Sequence, residues 1–173
     1  MIGNRLRVAA VAAAVLMVGC GYALVGRGST LPPEVKSVYL KPLENLTQRA
    51  SVDQILTQAL SSELVNRKSF SVVPDAASAD AEISGAVTSF TLSPVSFDSE
   101  GRATQYEILI VARVKLTQKV PERELYANEG YQFRASYEVQ ASELGFQDRE
   151  TPAIEATAKD FAETLVTDLL EGF

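Results

Sequence analysis

From Tyr106 to Thr117 apolar and polar side chains alternate. Tyr106, Ile108, Ile110, Ala112, Val114 and Leu116 fall on one side, and Glu107, Arg113, Lys115 and Thr117 on the other. Successive side chains of a strand point to opposite faces, so this is a strand with one face buried and one face wet. Leu109 and Val111 interrupt the polar side and predict partial cover there. The alternation returns at Leu125, Ala127, Tyr131, Phe133, Ala135 and Tyr137 against Asn128, Gln132, Arg134, Ser136 and Glu138. A less regular extended stretch, Asp80 to Leu92, precedes both, with Ile83, Ala86, Val87, Phe90 and Leu92 as its apolar members. Ser99-Glu100-Gly101 and Pro121-Glu122-Arg123 are turn formers, so residues 80–138 predict a three-stranded antiparallel meander.

Elsewhere the period changes. Val52, Ile55, Leu56, Ala59, Leu60 and Leu64 recur at spacings of three and four, an amphipathic helix ending near Arg67. Ser51-Val52-Asp53-Gln54 before it has the form of a capping box. A strand over Val35–Leu40 stops at Pro42, and Phe70–Val73 is a shorter one stopped by Pro74. Thr151-Pro152 reads as the N-cap and first residue of a last helix, with Ile154, Ala158, Phe161, Leu165 and Leu169 on one side. The order β-α-β-β-β-β-α, with one wet face per strand, predicts an α+β two-layer sandwich. Its sheet is mixed but mostly antiparallel, and both helices cover one face. Ile108, Ile110, Val114, Tyr131 and Phe133 should then be buried against Ile55, Leu56, Leu60, Phe161, Leu165 and Leu169.

The N-terminus follows neither period. Arg5 and Arg7 precede an unbroken apolar run, Val8 to Val18, which is shorter than the ~20 residues that span a bilayer but suits a secretory signal. Met17-Val18-Gly19-Cys20 resembles a bacterial lipobox, with Met where Leu is usual, and Cys20 is the single cysteine of the 173 residues. Residues 1–19 are expected to be a lipoprotein signal peptide and Cys20 the acylated residue. The plainer alternative is a signal peptide that happens to contain a cysteine. Each buried methylene of the acyl chains would contribute ~0.8 kcal/mol to membrane anchoring. In the sorting rule that goes with the lipobox, Asp after the cysteine retains a lipoprotein at the inner membrane. Gly21 stands there, which implies the outer membrane. Residues 20–33, with three Gly and two Pro, read as a lipidated tether, and residues 34–173 as a single α+β domain.

Composition narrows the chemistry. Sixteen Lys and Arg face 22 Asp and Glu. Removing residues 1–19 takes two arginines and no acid, which moves the formal charge from −6 to −8. Such a balance argues against nucleic acid as a partner. With no His and one Cys, the commonest general base, a Cys₄ zinc site and an intrachain disulfide are all excluded. No GxSxG, SxxK or phosphate-cradling glycine loop occurs, and no enzyme activity or cofactor is expected. Asp98 and Glu100 read as hairpin-tip polarity, not as a catalytic pair. Asp75, Asp80 and Glu82 lack calcium-loop spacing. Asn45-Leu46-Thr47, formally a glycosylation sequon, reads as loop and helix-entry chemistry. Arg113, Lys115 and Arg134 interleave with Glu107 and Glu138, a charge-balanced, solvated sheet face.

Several segments in order resemble the lipopolysaccharide-assembly lipoprotein family LptE. They are Cys20–Leu24, Leu31-Pro32, Val38–Thr47, Ala79–Gly85, Ser93–Asp98, Tyr106–Ile108 and Leu169–Phe173. The resemblance implies an outer-membrane lipoprotein of a Gram-negative bacterium, without enzymatic activity. Such a protein plugs and helps assemble the LptD β-barrel while lipopolysaccharide passes to the outer leaflet. Its implied partners are that barrel, lipopolysaccharide, and membrane lipid through acylated Cys20. The segment from Pro42 to Pro74 also resembles periplasm-facing lipoproteins that activate a cell-wall synthase or build a secretion channel. The family contacts lipopolysaccharide through basic loop residues at one sheet end. The loops at that end hold Arg102 and Arg149, candidates for gripping a lipid A phosphate. Asp98, Glu100, Asp148 and Glu150 flank them, so simple pairing with acidic neighbours is the other reading.

Overall fold

The structure, a computed structural model, describes residues 31–68, 70–139 and 146–171, the last without the side chains of 146–149. Cys20 and most of the tether lie outside the described residues. The elements are β1 (Ser37–Leu40), β2 (Glu44–Asn45), α1 (Val52–Arg67), β3 (Ser71–Val72), a 3₁₀ turn (Ala76–Ser78), β4 (Ala81–Phe97), β5 (Ala103–Gln118), β6 (Arg123–Glu138) and α2 (Phe146–Glu171). The strands form one mixed sheet in the order β3-β1-β4-β5-β6, with β2 also on β4. β4, β5 and β6 are the expected antiparallel meander. β1 lies parallel to both β3 and β4. The expected α+β sandwich is therefore the fold observed.

Its core lies between sheet and helices. Ile108, Ile110, Ala112 and Val114 are wholly buried along β5. Val52, Leu56, Leu60 and Leu64 form one stripe of α1, and Ile154, Ala158, Phe161, Leu165 and Leu169 one stripe of α2. The Phe161 ring meets Tyr131 and Phe133 edge-on, with centroids 5.5 and 6.3 Å away. These are the contacts that the two periodicities anticipate, with Ile55 and Phe133 only partly buried.

Four local readings need correction. Ser51 caps nothing: it sits at φ 62° and its hydroxyl makes no cap bond. The turn before α1 is knitted instead by Asn45, whose Nδ2 donates to the Arg49 carbonyl (2.8 Å) while its Oδ1 accepts from the Thr47 amide (2.9 Å). Side chains that bond their own backbone two residues on are what Asn brings to a loop, as the sequon's plainer reading has it. The second correction concerns α2, which begins at Phe146 and not at Thr151; Pro152 lies inside it. Proline forfeits one helix hydrogen bond there. In the turn before it, buried Glu150 is tied to Arg49 at 3.1 Å.

The third correction is in β6. Tyr131 pairs with Ala112 but Asn128 pairs with Val114, an extra residue that flips the face. Ala127 is therefore exposed, and Tyr126 packs against the core instead. Last, β4 runs five residues beyond Leu92, to Phe97. Its pairing with β5 lets Ser and Pro positions extend where propensity does not.

Asp80 closes the sheet at the start of β4. Its Oδ2 accepts from the Ser37 amide (2.8 Å), the Ser37 hydroxyl (2.7 Å) and the Lys36 amide (3.0 Å). The Ser37 hydroxyl first, then the two amides, hold its carboxyl below the usual range.

Two tests follow from this packing. Ile110→Asp places an unpaired carboxylate in the core and should cost ~4 kcal/mol or more, whereas Lys115→Ser should barely move the melting temperature. Equal melting temperatures would mean that the faces are reversed. Asp80→Asn should lower the melting temperature at pH 7. A depressed native pKa gives stability that is present above the unfolded pKa, about 3.9, and lost as pH falls through the native value. The deficit of Asp80→Asn against the parent should therefore shrink below about pH 4; a pH-independent deficit would contradict the clamp.

Candidate functional site

The β4–β5 hairpin turn and the exit of β6 share one end of the sheet. Gln105 pairs with Glu138, and the Val139 amide donates to the Thr104 carbonyl at 2.8 Å. This is the end to which the sequence assigned Arg102. The turn is organised by Asp98, whose Oδ1 accepts the amides of Glu100 and Arg102, both at 2.9 Å. Gly101 takes φ 78°, which a residue without Cβ adopts freely. The Arg102 guanidinium returns to the same acid, with Nε 2.9 Å from Asp98 Oδ2, and its Nη1 lies 3.0 Å from Glu100. Hydrogen bonds from the Arg102 amide and side chain hold the Asp98 carboxyl below its usual range. Arg102 is thus paired with its acidic neighbours. The Arg149 side chain lies outside the described residues. Beside this turn Val95 and Phe97 are exposed, 47% and 59%, so the tip is as much apolar as charged.

Further from the turn is a cluster that residue spacing does not reveal. Arg49, in the loop before α1, lies 5.7 Å from the centre of the Phe90 ring and ion-pairs Glu150, which is only 9% exposed. Tyr106 and Tyr137 stack beside it at 5.9 Å. Among the described residues the buried Tyr137 hydroxyl has no hydrogen-bond partner, and desolvation raises its pKa. A cleft of about 500 Å³ runs alongside, lined by Arg49, Phe90 and Leu92 among others. Arg49 and Glu150 come from opposite ends of the chain, so no local pattern could have joined them.

The helix-free face of the sheet is charge-balanced, as expected. Arg134 lies 3.2 Å from Glu107, Lys115 3.0 Å from Glu129 and Arg113 3.7 Å from Glu44. Asp75 and Asp80 accept backbone amides, and no acidic group suited to a metal occurs among the described residues. Among the same residues no helix is long and apolar enough to cross a membrane.

A sheet covered by helices on one face, mostly charge-paired on the other and apolar at its hairpin tip makes a small α+β domain. Three solved structures share this architecture. The hypothetical protein CT253 of Chlamydia trachomatis has a TM-score of 0.56 and 10% identity, with 80% of this chain and 97% of that one covered. The uncharacterized lipoprotein B of Nitrosomonas europaea gives 0.51 and 17%, over 87% and 88%. The PelC dodecamer of Paraburkholderia phytofirmans gives 0.51 and 11%, over 83% and 96%. At these identities the likeness is one of fold. No curated protein matches the chain. The family model for LptE, lipopolysaccharide-assembly, matches residues 35–169, from before β1 to near the end of α2. The chain belongs to the LptE family.

The Arg49–Glu150 pair can be tested by a mutant cycle. Arg49→Ala strands a buried carboxylate and should cost ~2 kcal/mol. Adding Glu150→Gln should restore most of the loss, because the neutral amide has no charge to strand. Purely additive losses in chemical denaturation would show that the two groups do not interact.

Proposed function

We propose that this protein is an outer-membrane lipoprotein, anchored through acylated Cys20, that plugs and helps assemble an LptD-type β-barrel and assists lipopolysaccharide insertion into the outer leaflet. The observation that carries this reading is the family match, which spans the meander and both helices. The apolar hairpin tip and the paired-off charges support a role in binding over one in catalysis. In this reading lipopolysaccharide meets the hairpin end, with Arg102 and Arg149 as the residues that contact phosphate. Arg102 exchanges Asp98 and Glu100 for the ligand, a small cost because those pairs are exposed. A second reading is a periplasm-facing lipoprotein that activates a cell-wall synthase or builds a secretion channel, and the dodecamer formed by a protein of the same fold favours its channel form.

Affinity purification from detergent-solubilised outer membranes separates the two. The first reading expects a β-barrel protein in equimolar amount, and lipopolysaccharide that falls away in the Arg102→Ala, Arg149→Ala variant while the barrel stays. It also expects Cys20→Ser to remain folded but to leave the outer-membrane fraction, since the cysteine is outside the core. Recovery of a ring of identical chains, or of a murein synthase, would replace the first reading with the second.

A further inference from the structure

The helix-free face carries a recess of about 140 Å³ between β2, β4 and β5, lined by Lys41, Glu44, Ser84, Gly85, Arg113 and Lys115. We propose that this recess is a binding site for a phosphate group, monoester or diphosphate, separate from the hairpin end and independent of the partner assigned above. Register builds it. Ser84 pairs with Lys115 and Ala86 with Arg113, so the hydroxyl and two cations sit on neighbouring rungs of one face. Lys41 is delivered from the other side, its amide donating to the Ile83 carbonyl at 2.9 Å. Gly85 also lines it, and the Cβ it lacks would collide with the Arg113 carbonyl and press on buried Leu43 on the core side of the sheet.

Charge and size select the ligand. Three cations and one carboxylate line the recess, and with Glu129 on Lys115 counted as well one positive charge remains in excess, on a chain with a formal −6. Glu44 stands 3.7 Å from Arg113, too far for a good hydrogen bond, and both are about half exposed. Glu129 pairs with Lys115 at 3.0 Å from outside the lining and keeps it charged. Among the described residues the Lys41 ammonium has no ion-pair partner. Like charges on neighbouring rungs repel, and an oxyanion between them relieves that repulsion. The recess opens to solvent and is lined by charged and hydroxyl side chains, which suits a hydrated tetrahedral anion better than an acyl chain. Arg113 offers its planar fork, and Lys41, Lys115 and Ser84 single donors.

The test is a titration of the purified full chain, in detergent, with inorganic pyrophosphate to about 10 mM, followed by amide NMR. Saturable shifts at Ser84, Gly85 and Arg113 are expected, with affinity falling as salt is raised. The triple change Lys41→Gln, Arg113→Gln, Lys115→Gln should weaken binding at least ~10-fold. Should the triple variant not fold, Lys41→Glu alone, at an exposed and unpaired position, should weaken it as well. Vesicles of phosphatidylcholine with and without phosphatidic acid, offered to the unanchored Cys20→Ser chain, distinguish the source. Capture that needs phosphatidic acid and the three cations assigns the phosphate to a lipid headgroup. Pyrophosphate binding without vesicle capture assigns it to a soluble phosphate. No saturable shift at these amides, or equal binding by the folded variants, overturns the site.

Discussion

Burial of the meander's inner face depends on α2 closing over the sheet, and Phe161 is where it closes. The strands β4, β5 and β6 pair with their sequence neighbours and need only hairpin turns to form. A bare meander, however, leaves Ile108, Ile110 and Val114 in water, and burying them requires a helix from the far end of the chain. The Phe161 ring meets two aromatic side chains of β6 edge-on, which sets the height of the helix on the sheet. Polar ties hold its ends: Glu150 to Arg49 near the start, and near the finish Asp168, which accepts from the Tyr131 hydroxyl at 2.9 Å, and Thr167, which accepts from Arg67 at 2.8 Å. Burial, then this hydrogen bond to a carboxylate, pushes the Tyr131 hydroxyl far above its ordinary pKa, so it remains a donor at any physiological pH.

Legibility in the sequence follows the range of the interaction. The period of two along β5 and the period near 3.6 along α1 and α2 are local, and they located both layers and nearly all of the core. Where a reading failed, a tertiary contact overrode a local signal. Ser51 has a capping residue's chemistry but a backbone turned to positive φ by the Asn45 loop. Thr151-Pro152 spells a helix start, yet the preceding turn is held by an ion pair to a loop before α1. The bulge between Asn128 and Tyr131 moved Ala127 out and Tyr126 in, and one inserted residue has no signature in a strand already interrupted by Glu129-Gly130. β2 is two residues long, too short to alternate.

The functional surfaces divide the same way. Arg102 lies in the predicted turn with the predicted acidic partners, because hairpin geometry is local. The Arg49–Glu150 cluster and the recess at Lys41, Arg113 and Lys115 are joined only by folding. One layer of helices leaves the opposite sheet face free, and its charges are mostly answered by neighbours on adjacent strands. Such a face stays wet when the protein is alone and offers hydrogen-bonding groups to whatever encloses it. That is the property the proposed plug role requires.

Depleting this protein in its own bacterium tests the central claim most directly. The quantity to measure is the fraction of the LptD-type barrel that migrates as a folded, heat-modifiable species in unheated SDS gels. Assembly that depends on this lipoprotein predicts a fall of that fraction in step with the depletion, and its recovery when the full chain is restored. A barrel that stays fully folded after the protein is gone would contradict the account.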